Sequence, residues 1–383
     1  MAVSRRAFVG ALGVGGVGAL TLPSWIHARG LEAATAGPSE AALIAAQQQN
    51  PMIRLMSNEN PYGPVPAAIR AIQASWKEAA WYPASGETRV REALARANNL
   101  PVDQVMLGSG SGEILSMAVH AFCSPSKHLV TAAPTFETPT GTAKNFNLPV
   151  REVPLDAQLR LDLDAMLREV RGAGLVFLCN PNNPTGHVHG KAAIDGFIRA
   201  ALAADPEVVI LVDEAYHEFV DDPSYASALP MIATEPRVFV SRTFSKIYGL
   251  AGLRIGYAFG QPATLGRMSR FRLANGIGAL AQVAAIASLE DVAQMRQEQE
   301  KNRVARAFTT KWFTDAGYTV IPSQTNFVLV DIRRPAQAFR EACARQGIAV
   351  GRTFAPLTNY SRISIGTMPE MQQAVQVFQR VLA

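Results

Sequence analysis

Between about residues 100 and 260 the chain repeats one pattern. A short unbroken apolar run is followed by a break rich in Gly, Pro, Asn or Ser, then by a longer stretch with helical spacing. The apolar runs are Val105 to Leu107, His128 to Ala132, Leu175 to Cys179, Val208 to Val212, Val238 to Val240 and Ile255 to Phe259. Because they do not alternate, they predict strands covered on both faces. Gly112 to Phe122, Leu163 to Val170 and Ala192 to Ala203 carry helical periodicity. Strand and helix in alternation predict an α/β fold, with a mostly parallel sheet in a three-layer α/β/α domain.

Beyond Gly276 the pattern changes. Gly278 to Leu289 and a charged stretch near Gln297 to Phe313 predict helices. Strands over Tyr318 to Ile321, Asn326 to Asp331 and Arg362 to Ile365 alternate with helices over Ala336 to Gln346 and Met368 to Val381. This tail predicts a smaller α+β domain. Asn58 to Pro66 is irregular. The expected organisation is a leader at 1–36, an N-terminal arm at 37–70, a large domain at 71–280 and a small domain at 281–383. The arm is expected to pack onto the small domain or to cross to a partner subunit.

The leader carries paired arginines in Ser4-Arg5-Arg6-Ala7-Phe8-Val9, a Gly-rich apolar stretch from Ala7 to Leu22, and small residues at Ala34-Thr35-Ala36. These features predict a twin-arginine export signal, with the twin-arginine machinery as a partner and a periplasmic or exported destination. The apolar stretch is too short to span a bilayer, so no membrane association is expected of the mature protein. The protein would fold, and load any cofactor, before export.

The whole chain is 48% hydrophobic, and the part beyond the leader is long enough for a large core divided between two domains. The net charge is +5, and its charges are scattered with no basic run, so nucleic acid is not an expected partner. Cys123, Cys179 and Cys343 lack metal-ligand spacing and do not suggest a disulfide framework. No metal is expected.

Candidate chemistry gathers where apolar runs end. Lys246 sits in Ser241-Arg242-Thr243-Phe244-Ser245-Lys246, with Arg254 eight positions on, in what reads as a loop at the carboxyl end of a strand. An ammonium among hydroxyls suits a phosphorylated cofactor with an aldehyde for the lysine to capture, namely pyridoxal 5'-phosphate. Gly108-Ser109-Gly110-Ser111-Gly112 opens a helix, where free amides can hold phosphate; such turns are also common without a ligand. Asn183, in the Asn180 to Gly186 run, could donate to a ring oxygen, although that run also makes a tight turn. Asp213 closes the most apolar strand; it could pair with a protonated ring nitrogen or cap a helix. Phe136 could stack on a ring or fill core, and Arg362 could clamp a carboxylate or lie on the surface.

These residues resemble the fold-type I pyridoxal-phosphate-dependent aminotransferases, most closely the histidinol-phosphate aminotransferase group. The resemblance is carried by Ser57-Asn58-Glu59-Asn60-Pro61-Tyr62-Gly63-Pro64, Tyr82-Pro83, the Gly108 loop, Asn180 to Gly186, Asp213 to Tyr216, Ser245 to Tyr257 and Arg362 to Thr367. It implies an aspartate aminotransferase-like fold and a homodimer with shared active sites. It makes Lys246 the lysine that captures the cofactor, with Asp213 on the ring nitrogen and Tyr216 and Asn183 on the ring oxygen. Gly110, Ser111, Gly112, Thr243, Ser245 and Arg254 would surround the phosphate, and Tyr82 would reach the neighbouring subunit's phosphate. Phe136 would stack on the ring. Arg362 would clamp a carboxylate, with Asn60 and Tyr62 at the substrate edge. Glu137 departs from the family pattern and could meet a cationic side chain.

The expected reaction moves an amino group between an L-amino acid, or a histidinol-phosphate-like amine, and a 2-oxo acid. Lys246, Asp213 and Tyr216 are its expected catalytic residues. A racemase or lyase on the same scaffold would need a second acid, for which Tyr62, Tyr216 and His217 are candidates. A non-catalytic amino-acid-binding protein is the remaining alternative. The sequence leaves the amino donor open.

Overall fold

A computed structural model of the protein describes residues 52–83 and 86–383. The expected export signal and residues 37–51 of the expected arm lie outside the described residues.

Among the described residues, the main sheet has seven strands. In spatial order they are Val105–Gly108, Gly256–Gly260, Val238–Thr243, Val209–Asp213, Ala173–Cys179, His128–Ala133 and Val150–Pro154. All run parallel except Gly256–Gly260, which is antiparallel to both its neighbours. Side chains alternate between two apolar layers. Leu175, Phe177, Val209 and Leu211 face one with Ile114, Leu115 and Leu265. Val176, Leu178, Ile210 and Val212 face the other with Ile194, Phe197 and Ile198. A strand buried on both faces has no polar positions to spare, which is why these runs do not alternate.

The Val238–Thr243 strand continues through Ser241, Arg242 and Thr243, where a loop was expected. Its polar end remains in the sheet because each side chain finds a partner: Ser241 on Asp213, Arg242 on Glu214, and Thr243 on Ser245.

The C-terminal part forms a second cluster around Phe313, Phe339 and Phe378. Its antiparallel sheet orders Tyr360–Ser364, Phe327–Asp331 and Thr319–Ile321. Ile53–Leu55 pairs in parallel with Ile348–Val350, so this N-terminal segment is fastened to the C-terminal part of its own chain. Two expected boundaries fall inside helices. Pro66–Ala74 spans the 70/71 boundary and Ala279–Glu290 spans 280/281. These helices pack on each other, and Ala281, Ala284 and Ala285 belong to the large domain's core. No helix among the described residues is long and apolar enough to cross a membrane.

Candidate active site

The carboxyl ends of the central parallel strands open onto a cavity of about 320 Å³. Ligand sites in open α/β sheets gather at such ends. Lys246, Asp213, Tyr216 and Asn183 line it together. Ser111, Gly112, Thr243, Ser245, Arg254 and Phe136 complete much of its wall. An adjoining cavity of about 240 Å³ shares Lys246, Asn183 and Phe136 and adds Arg362, Glu137, Arg352 and Phe354.

Lys246 Nζ donates to the Ser57 carbonyl at 3.3 Å and lies 5.7 Å from the centre of the Tyr216 ring. Burial, then the positive charge of Arg362, push its amine down to about 8. At about 8 the ammonium still predominates at neutral pH, but the neutral, nucleophilic amine is far more populated than in a free lysine.

Asp213 is buried. Ser241 Oγ donates to its Oδ1 at 2.7 Å, while Oδ2 has only the Cys179 thiol, at 3.9 Å, among the described residues. Burial pushes its carboxyl up to about 6, opposed by the Ser241 hydrogen bond and reinforced by Glu214. A buried carboxylate so weakly matched on one oxygen suits a cationic partner.

Two donors have their orientation set by hydrogen bonds. Arg362 Nη1 donates to Asn183 Oδ1 at 2.7 Å, which leaves the Asn183 amide N–H groups to donate elsewhere. Asn58 Nδ2 donates to Tyr216 Oη at 2.9 Å. Arg362 is itself buried, against the alternative of a surface arginine. It donates to the Met56 carbonyl and lies over the Phe354 ring, and its Nε has no partner among the described residues.

An anion seat lies at the start of the Ser111–Phe122 helix. Its cap, Gly110, has φ 76 and ψ 164, a conformation that is essentially glycine's alone. Among the described residues no side chain caps this helix, so its first amides are available to an anion. A Cβ on Gly110 would stand 2.1 Å from Arg254 Nη2. Arg254, at φ 54, also reaches Ser245 Oγ at 3.4 Å. Ser245 Oγ in turn accepts from Thr243 at 3.0 Å.

Three expected residues lie elsewhere. Asn60 and Tyr62 line a separate small cavity with Glu298 and Asn326 rather than the one around Lys246. The Asn60 amide is occupied, donating to the Ile247 carbonyl and accepting from the Tyr62 N–H. Tyr82 is 84% exposed beside Trp81 and does not reach the cavity of its own chain. Glu137 is already engaged, in an ion pair with Arg352 across the mouth.

Sequence reasoning did not single out Ser57, Asn58, Cys179, Ser241, Arg352, Phe354 or Ser364 as individual contributors. Ser57, Asn58 and Ser364 stood in motifs without a role of their own, Ser241 opened the Lys246 block, and Cys179, Arg352 and Phe354 are joined to the site only by the fold. Nor did it find the buried pair behind the site. Arg242 donates twice to Glu214 Oε2, at 3.0 and 2.9 Å, and Glu214 also holds the loop at Ser227 and Ala228.

A family described as aminotransferase class I and II matches residues 50–378. The chain is 35% identical over 336 residues to the histidinol-phosphate aminotransferase of Moorella thermoacetica, covering 87% of this chain and 86% of that one. The solved histidinol-phosphate aminotransferase of Sinorhizobium meliloti, in complex with pyridoxal-5'-phosphate, superposes with a TM-score of 0.81 at 28% identity, over 90% of this chain and 94% of that one. A mutant aspartate aminotransferase of Thermus thermophilus, 20% identical, has a similar fold at a TM-score of 0.75, over 88% of this chain and 98% of its own.

Proposed function

The chain belongs to the aminotransferase class I and II family, and from that premise we propose that Lys246 carries its chemistry, Asp213 tunes it, and Arg362 holds the substrate carboxylate. Its fold is aspartate aminotransferase-like, its cofactor is pyridoxal 5'-phosphate, and its reaction is transamination. The observation that supports the assignment of residues is their convergence. A depressed lysine, a poorly partnered buried carboxylate and an uncapped helix start share one cavity.

The residues present fit this cofactor. Asp213 Oδ2 suits a protonated ring nitrogen. The Gly110 cradle, which a Cβ would fill, suits a phosphate beside Arg254, Ser245 and Thr243. Phe136 is the ring available for stacking. When bound, the cofactor supplies an aldehyde carbon that takes the amino group and a ring that draws off the charge left by the departing α-proton.

This chain's side chains do the rest. Nζ of Lys246 would hold the cofactor through its aldehyde carbon and, as a free amine, would take the α-proton as general base. Asp213 would keep the ring nitrogen protonated. Asn183 and Tyr216 would donate to the ring oxygen. Every 2-oxo acid carries a carboxylate, and Arg362, with its buried unpartnered Nε, is the group offered to it. Racemisation would need a second acid; His217 is instead 3.0 Å from Tyr225 Oη, neither it nor Tyr62 lines the cavity, and Tyr216, which does, is assigned to the ring oxygen.

The amino donor is an α-amino acid or a histidinol-phosphate-like amine. A panel of arginine, lysine, aromatic amino acids and histidinol phosphate, each read by pyridoxamine phosphate formation in a single turnover, identifies it. Loss of optical activity without a keto product would overturn the transaminase assignment. The working form is a homodimer, with Tyr82 completing the partner's phosphate site. The leader directs twin-arginine export, which should stop when Arg5 and Arg6 are changed to lysine.

A further inference from the structure

We propose that Asn58, locked by Ser364, is a positioning residue that fixes the direction in which the Tyr216 hydroxyl proton points. The inference rests on the reading above that Tyr216 faces the cofactor's ring oxygen.

The argument begins with an ambiguity. A side-chain amide has a donor end and an acceptor end of nearly the same shape, and only its partners decide which faces which way. Here the partners decide it. The Asn58 backbone N–H donates to Ser364 Oγ at 2.8 Å. Ser364, having accepted there, donates its own proton to Asn58 Oδ1 at 2.8 Å. The amide oxygen is thereby committed to Ser364. Nδ2 is the end left for Tyr216, and it donates to Oη at 2.9 Å. A phenol that accepts from Asn58 keeps its O–H free to donate elsewhere. All these bonds run in one direction, ending on the Tyr216 proton, and each polarises the next.

The frame around this relay is rigid. Asn58 is 1% exposed and has φ 55, a left-handed conformation that asparagine tolerates better than most residues. Its carbonyl accepts from Asn326 Nδ2 at 3.0 Å. The Tyr216 ring sits edge-on to Phe327. Ser364 and Asn326 belong to the C-terminal part, whereas Tyr216 follows a strand of the main sheet. The relay therefore spans both parts of the chain.

Two roles make different predictions. If Asn58 merely braces the fold, losing its side chain is the larger injury, and a Ser364 change adds to it. If Ser364 sets the amide direction, losing Ser364 is worse. The freed amide can turn its oxygen to Tyr216, and the phenol then donates to Asn58 instead of the ring oxygen.

The test uses the holoenzyme and the pH midpoint of the bound cofactor's visible band. That midpoint rises when the ring oxyanion loses a donor. Tyr216→Phe should raise it by about one pH unit, the scale of one charge-assisted hydrogen bond. Ser364→Ala should give at least half of that shift. Asn58→Gly, which removes the amide without straining the left-handed backbone, should give less than half. The double variant should fall back to the Asn58→Gly value, because no amide remains to turn. Ser364→Thr keeps the donor and should hold the wild-type midpoint. Ser364→Cys, a weaker donor of similar shape, serves if the alanine variant does not fold and should shift the midpoint upward. If Tyr216→Phe shifts the midpoint while Ser364→Ala and Ser364→Cys do not, the relay is wrong and the role of Tyr216 stands. If Tyr216→Phe itself shifts nothing, the reading of Tyr216 is wrong.

Discussion

Arg254 closes over Gly110 so tightly that a methyl group on the glycine would stand 2.1 Å from the guanidinium Nη2. Gly110 also occupies a backbone region that a side chain makes costly. Gly110→Ala should therefore act twice. The backbone strain should lower the stability of the cofactor-free protein by about 1 kcal/mol or more. Displacing Arg254 should weaken cofactor binding about tenfold, the equivalent of one charged hydrogen bond. Thermal melts and cofactor titration measure the two effects separately. An unchanged cofactor Kd would show that Arg254 is not a phosphate ligand.

Lys246→Ala should abolish the visible band of the covalently held cofactor. Turnover should fall by at least about a thousandfold, within the range for loss of a general base and larger if covalent capture also matters. The cofactor's phosphate seat would remain, so reversible binding should persist. Absorbance spectra, borohydride trapping and a steady-state assay check this. A fully active variant would refute the assignment.

Asp213 and Lys246 both contribute to the pH dependence of the cofactor-free protein's stability. Asp213 is pushed up to about 6 from 3.8, so it favours the fold below about pH 4 and loses that contribution as pH rises through 6. Lys246 is pushed down to about 8 from 10.5, so its contribution is present above about pH 10.5 and is lost as pH falls through 8. Between pH 6 and 8 both groups oppose folding. Asp213→Asn should raise the cofactor-free Tm at pH 7.5 by a few degrees, on the order of 1–3 kcal/mol, while lowering kcat. The Tm gain should vanish near pH 4. A Tm series against pH tests it; a gain equal at pH 4 and pH 7.5 would contradict the sign.

The strands that build the site were legible because burial on both faces leaves unbroken apolar runs, as in Ala173–Cys179 and Val209–Asp213. The Val238–Thr243 strand was read short because its last residues are polar, and only the fold supplies their partners. The Gly86–Asn98 helix was missed: its buried Val90 and Leu94 are spaced four apart among five charged residues. Ile53–Leu55 and Ile348–Val350 have three residues each, too few for a period to show. Asn183 and Asp213 could be placed at strand ends from local pattern. The Arg362 bond to Asn183 and the Ser364 bond to Asn58 join residues far apart in sequence, and no local signal encodes them.

Arg242 and Glu214 form a buried pair directly behind Asp213, with side chains 8% and 1% exposed. Removing one partner leaves the other charged and unpaired. Arg242→Met should cost about 3–5 kcal/mol, whereas Arg242→Met with Glu214→Gln should cost less than Arg242→Met alone. Urea unfolding of both single variants and the double measures the coupling. Additive losses would show that the pair is not coupled.

Tyr82 offers a test of the proposed dimer, because it lies away from the Lys246 cavity of its own subunit. It is 84% exposed, Trp81 beside it is 68% exposed, and Trp76 is 54% exposed. Aromatic surface of this kind is suited to burial against a second copy. If sites are shared, Tyr82→Ala and Lys246→Ala damage the same site from opposite chains. A hybrid dimer then contains one site with both native groups and one with neither. Random pairing makes half the dimers hybrids, so co-expression should restore about a quarter of wild-type activity for a two-fold dimer. If each chain completed its own site, the mixture would give only the average of the two parents. Tagging the two chains differently and purifying the hybrid sharpens the result: its activity should approach half that of the wild type, with one cofactor per dimer trapped by borohydride.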